Sequence, residues 1–136
     1  MSQNLEIVRE ACLATSSGDP AAGAAAFDPA IEWDMAGVIG WTEKRVYRGQ
    51  EVGPFLRGWA DSWRDWHFDV DEVRDAGPEQ VFVAIHEWGT GVESEASVDQ
   101  RRYFAIDLSG GRIVRVRMFS ERAEALEAVG LREGTA

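Results

Sequence analysis

The chain has 136 residues, which suits one compact domain, and its hydrophobic (45%) and charged (28%) fractions are ordinary for a globular protein. The formal net charge of −10 disfavours nucleic acids and anionic membranes as partners, because both bind clustered Lys and Arg. One cysteine, no signal-peptide pattern and no long apolar run predict a cytoplasmic protein without an internal disulfide or a membrane span.

The N-terminal part of the chain carries the pattern of two helices. Apolar residues recur at helical spacing over residues 3–16, which predicts the first helix. Asp19 can cap a second helix, and Pro20 fits its first position. This second helix is expected to be short and to cover residues 20–27.

The stretch AIEWDM (30–35) predicts the first strand, because apolar and polar side chains alternate along it. One face carries Ile31, Trp33 and Met35, and the other carries Glu32 and Asp34. The alternation leaves open whether these acids face water or whether one of them points into a cavity.

The middle of the chain predicts a loop, a short extended piece and a helix. The loop over residues 37–46 holds Trp41 beside Gly37 and Gly40 and can act as a lid. An extended piece is expected at 45–48. A helix follows over about 50–65, where Val52, Phe55, Leu56, Trp59 and Trp63 form an apolar stripe.

The C-terminal half changes to a period of two and predicts four strands, over residues 67–75, 80–88, 100–108 and 112–120. The strand 80–88 is apolar on both faces and is expected at the centre of a sheet. A short helix follows, with Gly130 at its end. Because helices and strands segregate, the predicted class is α+β, with a curved antiparallel sheet wrapped around helices.

Three segments resemble the nuclear transport factor 2-like (NTF2-like) superfamily, and within it the SnoaL-like proteins. They are SSGDPAAGAAAFDPAIEWDM, VYRGQEVGPFLRGW and LSGGRIVRVRMFSERAEALEAVGL. The resemblance covers about residues 3–131 and implies one domain over 1–136. It also implies a cone-shaped, cystatin-like α+β roll with a central pocket. The superfamily includes isomerases, dehydratases, hydrolases, cyclases and binding modules, so the fold alone does not select a function.

The resemblance implies a catalytic role for Asp34, whose position matches the general base of the ketosteroid isomerase branch. A carboxylate in a dry cavity can take a proton and return it. The alternative is that Asp34 faces solvent or caps the next loop. A salt bridge at the pocket rim is the favoured role for Glu32.

The sequence departs from that branch in its oxyanion-stabilising groups. The branch's Tyr on the first helix falls near Ala11, and its late-strand acid aligns with Phe104. A base without such donors is a poor catalyst, so steroid isomerase activity is not expected.

Several further residues are expected to contact a bound molecule. Six Trp in a short chain suggest the lining of a pocket. The expected ligand-contacting residues are Trp33, Tyr47, Phe55, Trp59, Trp63, His86, Glu87, Arg102 and Phe104. The alternation of strand 80–88 leaves open whether His86 or Glu87 faces the pocket. No metal-binding spacing of His and Cys occurs, so neither a metal nor another cofactor is expected.

The sequence leaves two candidate functions. The first is a cofactor-independent cyclase, isomerase or hydrolase that acts on a small apolar organic molecule. The second is a non-catalytic module that binds a ligand or serves dimerisation. Either form is expected to be a homodimer that associates through the outer face of its sheet.

Overall fold

The computed structural model describes residues 2–16 and 23–131. Helix α1 spans Gln3–Ser16, as the apolar spacing predicted, and it buries Leu5 and Val8. The Ser2 hydroxyl oxygen accepts a hydrogen bond of 3.0 Å from the backbone N–H of Leu5, and so caps the helix. The expected cap and start of the second helix, Asp19 and Pro20, lie outside the described residues.

Six strands form one curved, unclosed sheet in the described part of the chain. They are β1 (Phe27–Gly37), β2 (Val46–Arg48), β3 (His67–Asp75), β4 (Gln80–Thr90), β5 (Ser97–Ser109) and β6 (Arg112–Phe119). Their order is β2-β1-β6-β5-β4-β3, and β1 runs parallel to β6 while the other neighbours are antiparallel. The sheet is therefore mixed. The curved sheet is antiparallel as expected except at one pair, β1 and β6, where the first and last strands lie side by side and run parallel.

The helix expected over 50–65 is shorter than predicted. A 3₁₀ turn at Gly49–Glu51 leads into α2, which spans Val52–Asp61. Beyond it the backbone N–H of Arg64 donates to the carbonyl of Thr90 at 2.7 Å, and the N–H of Val92 donates to the carbonyl of Ser62 at 2.9 Å. These bonds tie residues 62–65 to the end of β4, and the chain leaves the helical path.

The last hairpin and helix match the sequence pattern. Gly110 and Gly111 both have positive φ (59° and 78°), which the tight turn between β5 and β6 requires. Helix α3 spans Arg122–Ala128, and Gly130, which follows its C-cap, also has a positive φ of 78°. No helix in the described ranges is long and apolar enough to cross a membrane.

The sheet is covered on both faces. Helices α1 and α2 lie on one face, here called the inner face, where Val83 and Ile85 of β4 join the main core. Helix α3 packs on the outer face, where Leu126 joins Phe82 and Ala84 in a second cluster. Strand β4 is therefore buried on both sides, as its continuous apolar run predicted.

Candidate functional site

A cavity of about 130 Å³ lies between the inner face of the sheet and helices α1 and α2. Apolar side chains from both helices and from five strands make up nearly all of its lining. The lining includes Val8, Ala11, Cys12, Phe27, Trp33, Met35, Phe55, Leu56, Trp59, Trp66, Phe68, Ile85, Phe104, Ile106, Ile113, Val116 and Met118. Among the described residues that line the cavity, Glu87 is the only one with a charged side chain.

Glu87 reaches the cavity because of its position along β4. Residues two apart on a strand share a face, so Glu87 lies on the same side as Val83 and Ile85. His86 lies on the opposite, outer face. Of the two residues between which the sequence left the choice open, Glu87 therefore faces the cavity and His86 does not. Only 1% of Glu87 is exposed to solvent.

Three neutral N–H groups donate hydrogen bonds to the Glu87 carboxylate. The indole nitrogens of Trp59 and Trp66 lie 3.1 and 3.0 Å from Oε1, and the Gln100 side-chain nitrogen lies 3.3 Å from Oε2. An indole N–H can only donate, so Oε1 accepts two bonds and Oε2 accepts one. The three donors come from α2, from the segment before β3 and from β5. Glu87 therefore joins three parts of the fold at one point.

Arg102 lies beside this cluster without contacting the carboxylate directly. Its Nη2 donates to the Gln100 side-chain oxygen at 2.9 Å, and its Nη1 donates to the Ser120 hydroxyl at 3.1 Å. Burial lowers the pKa of the Arg102 guanidinium from its ordinary value, and the negative charge of Glu87 opposes this shift. Arg102 thus supplies positive charge at a distance, through the neutral Gln100 amide.

The expected catalytic residue, Asp34, lies on the other side of the sheet. Trp33 and Met35 line the cavity, so the intervening Asp34 points to the outer face. Its carboxylate accepts a hydrogen bond of 2.8 Å from the backbone N–H of Ala36, at an exposed position. Asp34 therefore does not face the cavity as expected, because the apolar side chains of β1 occupy the inward face, and the carboxylate in the cavity wall is that of Glu87.

Glu32 shares the outer face with Asp34 and forms ion pairs there. Its carboxylate oxygens lie 3.4 Å from Arg48 Nε and 3.3 Å from Arg115 Nε. Both arginines belong to the strands that flank β1. A salt bridge was the favoured role for Glu32, but it lies on the outer face and not at the pocket rim.

The other predicted contact residues divide into two groups. The cavity lining contains Trp33, Phe55, Trp59, Glu87 and Phe104. The remaining four, Tyr47, Trp63, His86 and Arg102, are not part of it. Tyr47 stacks on Phe55 with ring centroids 4.1 Å apart, and so supports the cavity wall from behind.

Two of the four residues outside the cavity, His86 and Trp63, contact other parts of the fold. His86 Nε2 lies 2.7 Å from Asp99 Oδ1 on the outer face. Trp63 pairs with Gly91 in an isolated β-bridge beyond the end of α2. In residues 2–16 and 23–131, no group of three or more His, Cys, Asp or Glu side chains is arranged to hold a metal ion.

The cavity also contains two polar groups on α1 that the sequence analysis did not select. Burial raises the pKa of the Cys12 thiol to about 11, so the thiol stays neutral near pH 7. The Thr15 hydroxyl donates to the backbone carbonyl of Ala11 at 2.9 Å. Neither group brings a charge to the cavity.

Trp66 and Gln100 are functional neighbours that the sequence analysis missed. Gln100 had a usable signal, because it lies two residues before Arg102 and shares its face in the alternation of β5. Trp66 had none, since it lies between α2 and β3 where no period applies.

No protein-family model matches the chain, and no curated protein matches it. Solved structures do. An NTF2-like protein from Burkholderia thailandensis is 29% identical, with a TM-score of 0.74 over 89% of this chain and 92% of that one. This similarity confirms the predicted resemblance to the NTF2-like superfamily and the cone-shaped α+β fold.

Two further similar structures have names that describe chemistry. The epoxide hydrolase/cyclase-like enzyme SalBIII, which acts in pyran ring formation in salinomycin, is 18% identical, with a TM-score of 0.71 over 88% of this chain and 92% of that one. A Mycobacterium tuberculosis protein in complex with estradiol-17β-hemisuccinate is 14% identical, with a TM-score of 0.71 over 90% and 96%. At these identities the likeness extends to the fold alone.

Proposed function

We propose that this chain, which has the NTF2-like fold, binds a small and largely apolar organic molecule in its cavity, with Glu87 as the one charged contact. The observation that carries the proposal is an apolar cavity between sheet and helices with a single buried carboxylate in its wall. Cavities of this kind, mostly apolar with few polar groups, are typical ligand sites.

The size of the cavity limits the ligand. An engineered apolar cavity of about 150 Å³ holds a benzene molecule. The volume here, about 130 Å³, therefore suits one ring or a short branched chain when the walls stay in place. A polycyclic molecule would need the loop after β1 or helix α2 to move.

Glu87 has one remaining position at which it can accept a hydrogen bond from the ligand. Oε1 already accepts two bonds from Trp59 and Trp66, whereas Oε2 accepts one long bond from Gln100. A carboxylate oxygen accepts about two hydrogen bonds. We therefore place the polar end of the ligand at Oε2 and its apolar body among the aromatic rings.

The structural neighbours support this use of the fold. One is in complex with estradiol-17β-hemisuccinate, and another is an epoxide hydrolase/cyclase-like enzyme with a role in pyran ring formation. Both are consistent with a cavity that accepts organic molecules.

A second candidate is acid–base catalysis, which Glu87 favours because a carboxylate in a dry cavity can take a proton from a bound molecule and return it. Such a reaction also needs donors for the charge that develops on the substrate. At this site the indole N–H groups of Trp59 and Trp66 already donate to Glu87 itself. Binding without turnover is therefore the better-supported function.

The test is a titration of the purified protein with a panel of ring-sized organic molecules, followed by NMR at the indole N–H signals of Trp59 and Trp66. A ligand at Oε2 should shift both signals. Ala11→Leu should abolish the shifts by filling the cavity, and Leu13→Ala, at a side chain 56% exposed on the same helix, should leave them. If no molecule of the panel moves either indole signal, the proposal fails.

A further inference from the structure

We infer that the preferred ligand of this cavity is a cation: a small protonated amine or quaternary ammonium with an apolar body. This inference rests on the proposed function and names the class of molecule that the same site selects. Two independent features carry it, namely the unpaired charge of Glu87 and the aromatic character of the surrounding wall.

The first feature is a buried carboxylate that has no ion-pair partner in the described part of the chain. All three hydrogen bonds to Glu87 come from neutral groups, the indoles of Trp59 and Trp66 and the amide of Gln100. Burying a charge is costly unless an opposite charge compensates it. A cationic group at Oε2 would supply that charge inside the cavity, where electrostatic attraction is stronger than in water.

Arg102 does not take this role. Its guanidinium is directed to Gln100 and Ser120, and it reaches Glu87 only through the Gln100 amide. The pair therefore lies farther apart than a salt bridge, and Arg102 does not line the cavity. Oε2 therefore accepts one hydrogen bond, from Gln100, and none from Arg102.

The second feature is the set of aromatic rings that surrounds the same space. Trp33, Phe55, Trp59, Trp66, Phe68 and Phe104 all line the cavity together with Glu87. A cation within about 6 Å of a ring centroid is attracted by the negative face of the ring, and Trp gives the strongest effect. Aromatic walls with one carboxylate combine the two forces that favour an organic cation.

The rings meet at steep angles and do not form one flat stack. Trp33 lies 6.2 Å from Phe55 at 57° and 6.0 Å from Phe104 at 70°, between centroids. Trp66 and Phe68 are tilted by 46° at 5.3 Å. Tilted neighbours present faces in several directions. This arrangement suits a compact, roughly spherical cation better than a flat neutral ring.

The same features disfavour the other two charge classes. An anion would meet the negative charge of Glu87 and the negative faces of the rings. A neutral alcohol can donate a hydrogen bond to Oε2, but it adds no positive charge beside Glu87. The site therefore distinguishes ligands by their charge rather than by their shape.

The experiment compares three ligands with the same ring: cyclohexylammonium, cyclohexanol and cyclohexanecarboxylate, titrated at neutral pH by calorimetry and by NMR. Cyclohexylammonium should bind about tenfold tighter than cyclohexanol, and the carboxylate should not bind. Equal or tighter binding of cyclohexanol would overturn the inference and leave the proposed function standing. Failure of all three at millimolar concentration would overturn both.

Two variants identify the groups responsible. Glu87→Gln keeps an acceptor oxygen for the indoles but removes the charge, so the preference for the cation should fall to about threefold or less. Phe104→Leu keeps an apolar wall and removes one ring face, so the affinity for the cation should fall more than the affinity for the alcohol. A preference unchanged in Phe104→Leu and, where it folds, in Glu87→Gln would contradict the assignment of these groups.

Discussion

Gln100 lies directly opposite Glu87 in the antiparallel pairing of β4 and β5, and its Nε2 donates to Glu87 Oε2 at 3.3 Å. The same amide accepts a hydrogen bond from Arg102 through its oxygen. One neutral side chain thus separates the buried carboxylate from the nearest cation on the inner face. This spacing leaves Glu87 without a direct ion pair in the described part of the chain.

The first prediction concerns the stability that depends on Glu87. Glu87→Leu leaves the indole N–H groups of Trp59 and Trp66 without an acceptor, and each unpaired buried donor costs about 1–3 kcal/mol. Glu87→Gln retains one acceptor oxygen. We expect Glu87→Leu to lower the free energy of unfolding by about 2 kcal/mol more than Glu87→Gln does. Urea unfolding followed by circular dichroism measures the difference.

The control for this prediction is Glu32→Leu on the outer face. Glu32 pairs with Arg48 and Arg115, and 30% of its side chain is exposed. Partly exposed ion pairs contribute about 0–1 kcal/mol, so this variant should change stability little. A Glu87→Leu variant as stable as Glu32→Leu would show that the buried hydrogen bonds to Glu87 do not contribute to the free energy of unfolding.

The order of the described helices and of the long strands was predictable from the sequence, because each of these elements has its own period. The sequence did not predict which side chains of β4 point to the inner face of the sheet. Val81, Val83 and Ile85 are apolar, and so are Phe82 and Ala84, because α3 covers the outer face as well. A strand buried on both sides gives no alternation from which its orientation can be read.

The candidate site shows where two kinds of sequence reasoning disagreed. The period of β1 puts Asp34 on the face opposite Trp33, whereas the family resemblance put it in the pocket. The structure agrees with the period, because successive side chains of a strand point to opposite faces, and Trp33 lines the cavity while Asp34 does not. The interior carboxylate comes instead from β4, at Glu87, for which the sequence predicts only a ligand contact. Its indole partner Trp66 could be found only from three-dimensional packing.

The second prediction is that Trp59 and Trp66 are energetically coupled. Both indoles donate to the same oxygen of Glu87, so either single replacement by Phe leaves Oε1 with one donor. The double variant leaves it with none. We expect the loss of unfolding free energy in the double variant to exceed the sum of the single losses by about 1 kcal/mol. Additive losses would contradict the shared acceptor.

The third prediction follows from the raised pKa of Cys12. Burial raises this pKa from 9.0 to about 11, so the folded chain keeps the thiol proton where the unfolded chain has lost it. The free energy of unfolding should therefore be unaffected by this group below pH 9 and should fall by about 1–2 kcal/mol as the pH rises from about 9 to about 11.

Cys12→Ala separates this effect from other groups that titrate at high pH. The difference in unfolding free energy between the original chain and Cys12→Ala should change across that window and stay constant at neutral pH. Reaction with a thiol reagent gives a second measurement, because the thiolate is the reactive form. Rapid reaction of the folded protein at neutral pH would contradict the raised pKa of the Cys12 thiol.

The fourth prediction compares the two carboxylates that compete for the functional role. Asp34→Asn changes a side chain whose oxygen accepts from the backbone N–H of Ala36 on the outer face, so ligand affinity should stay within about twofold. Glu87→Gln removes the charge at the cavity wall, and the affinity for an organic cation should fall about tenfold. Each variant replaces one carboxylate oxygen by an amide nitrogen. The two substitutions are therefore matched in their effects on side-chain size and on solubility. Binding lost in Asp34→Asn and kept in Glu87→Gln would return the functional role to β1 and would contradict the site described here.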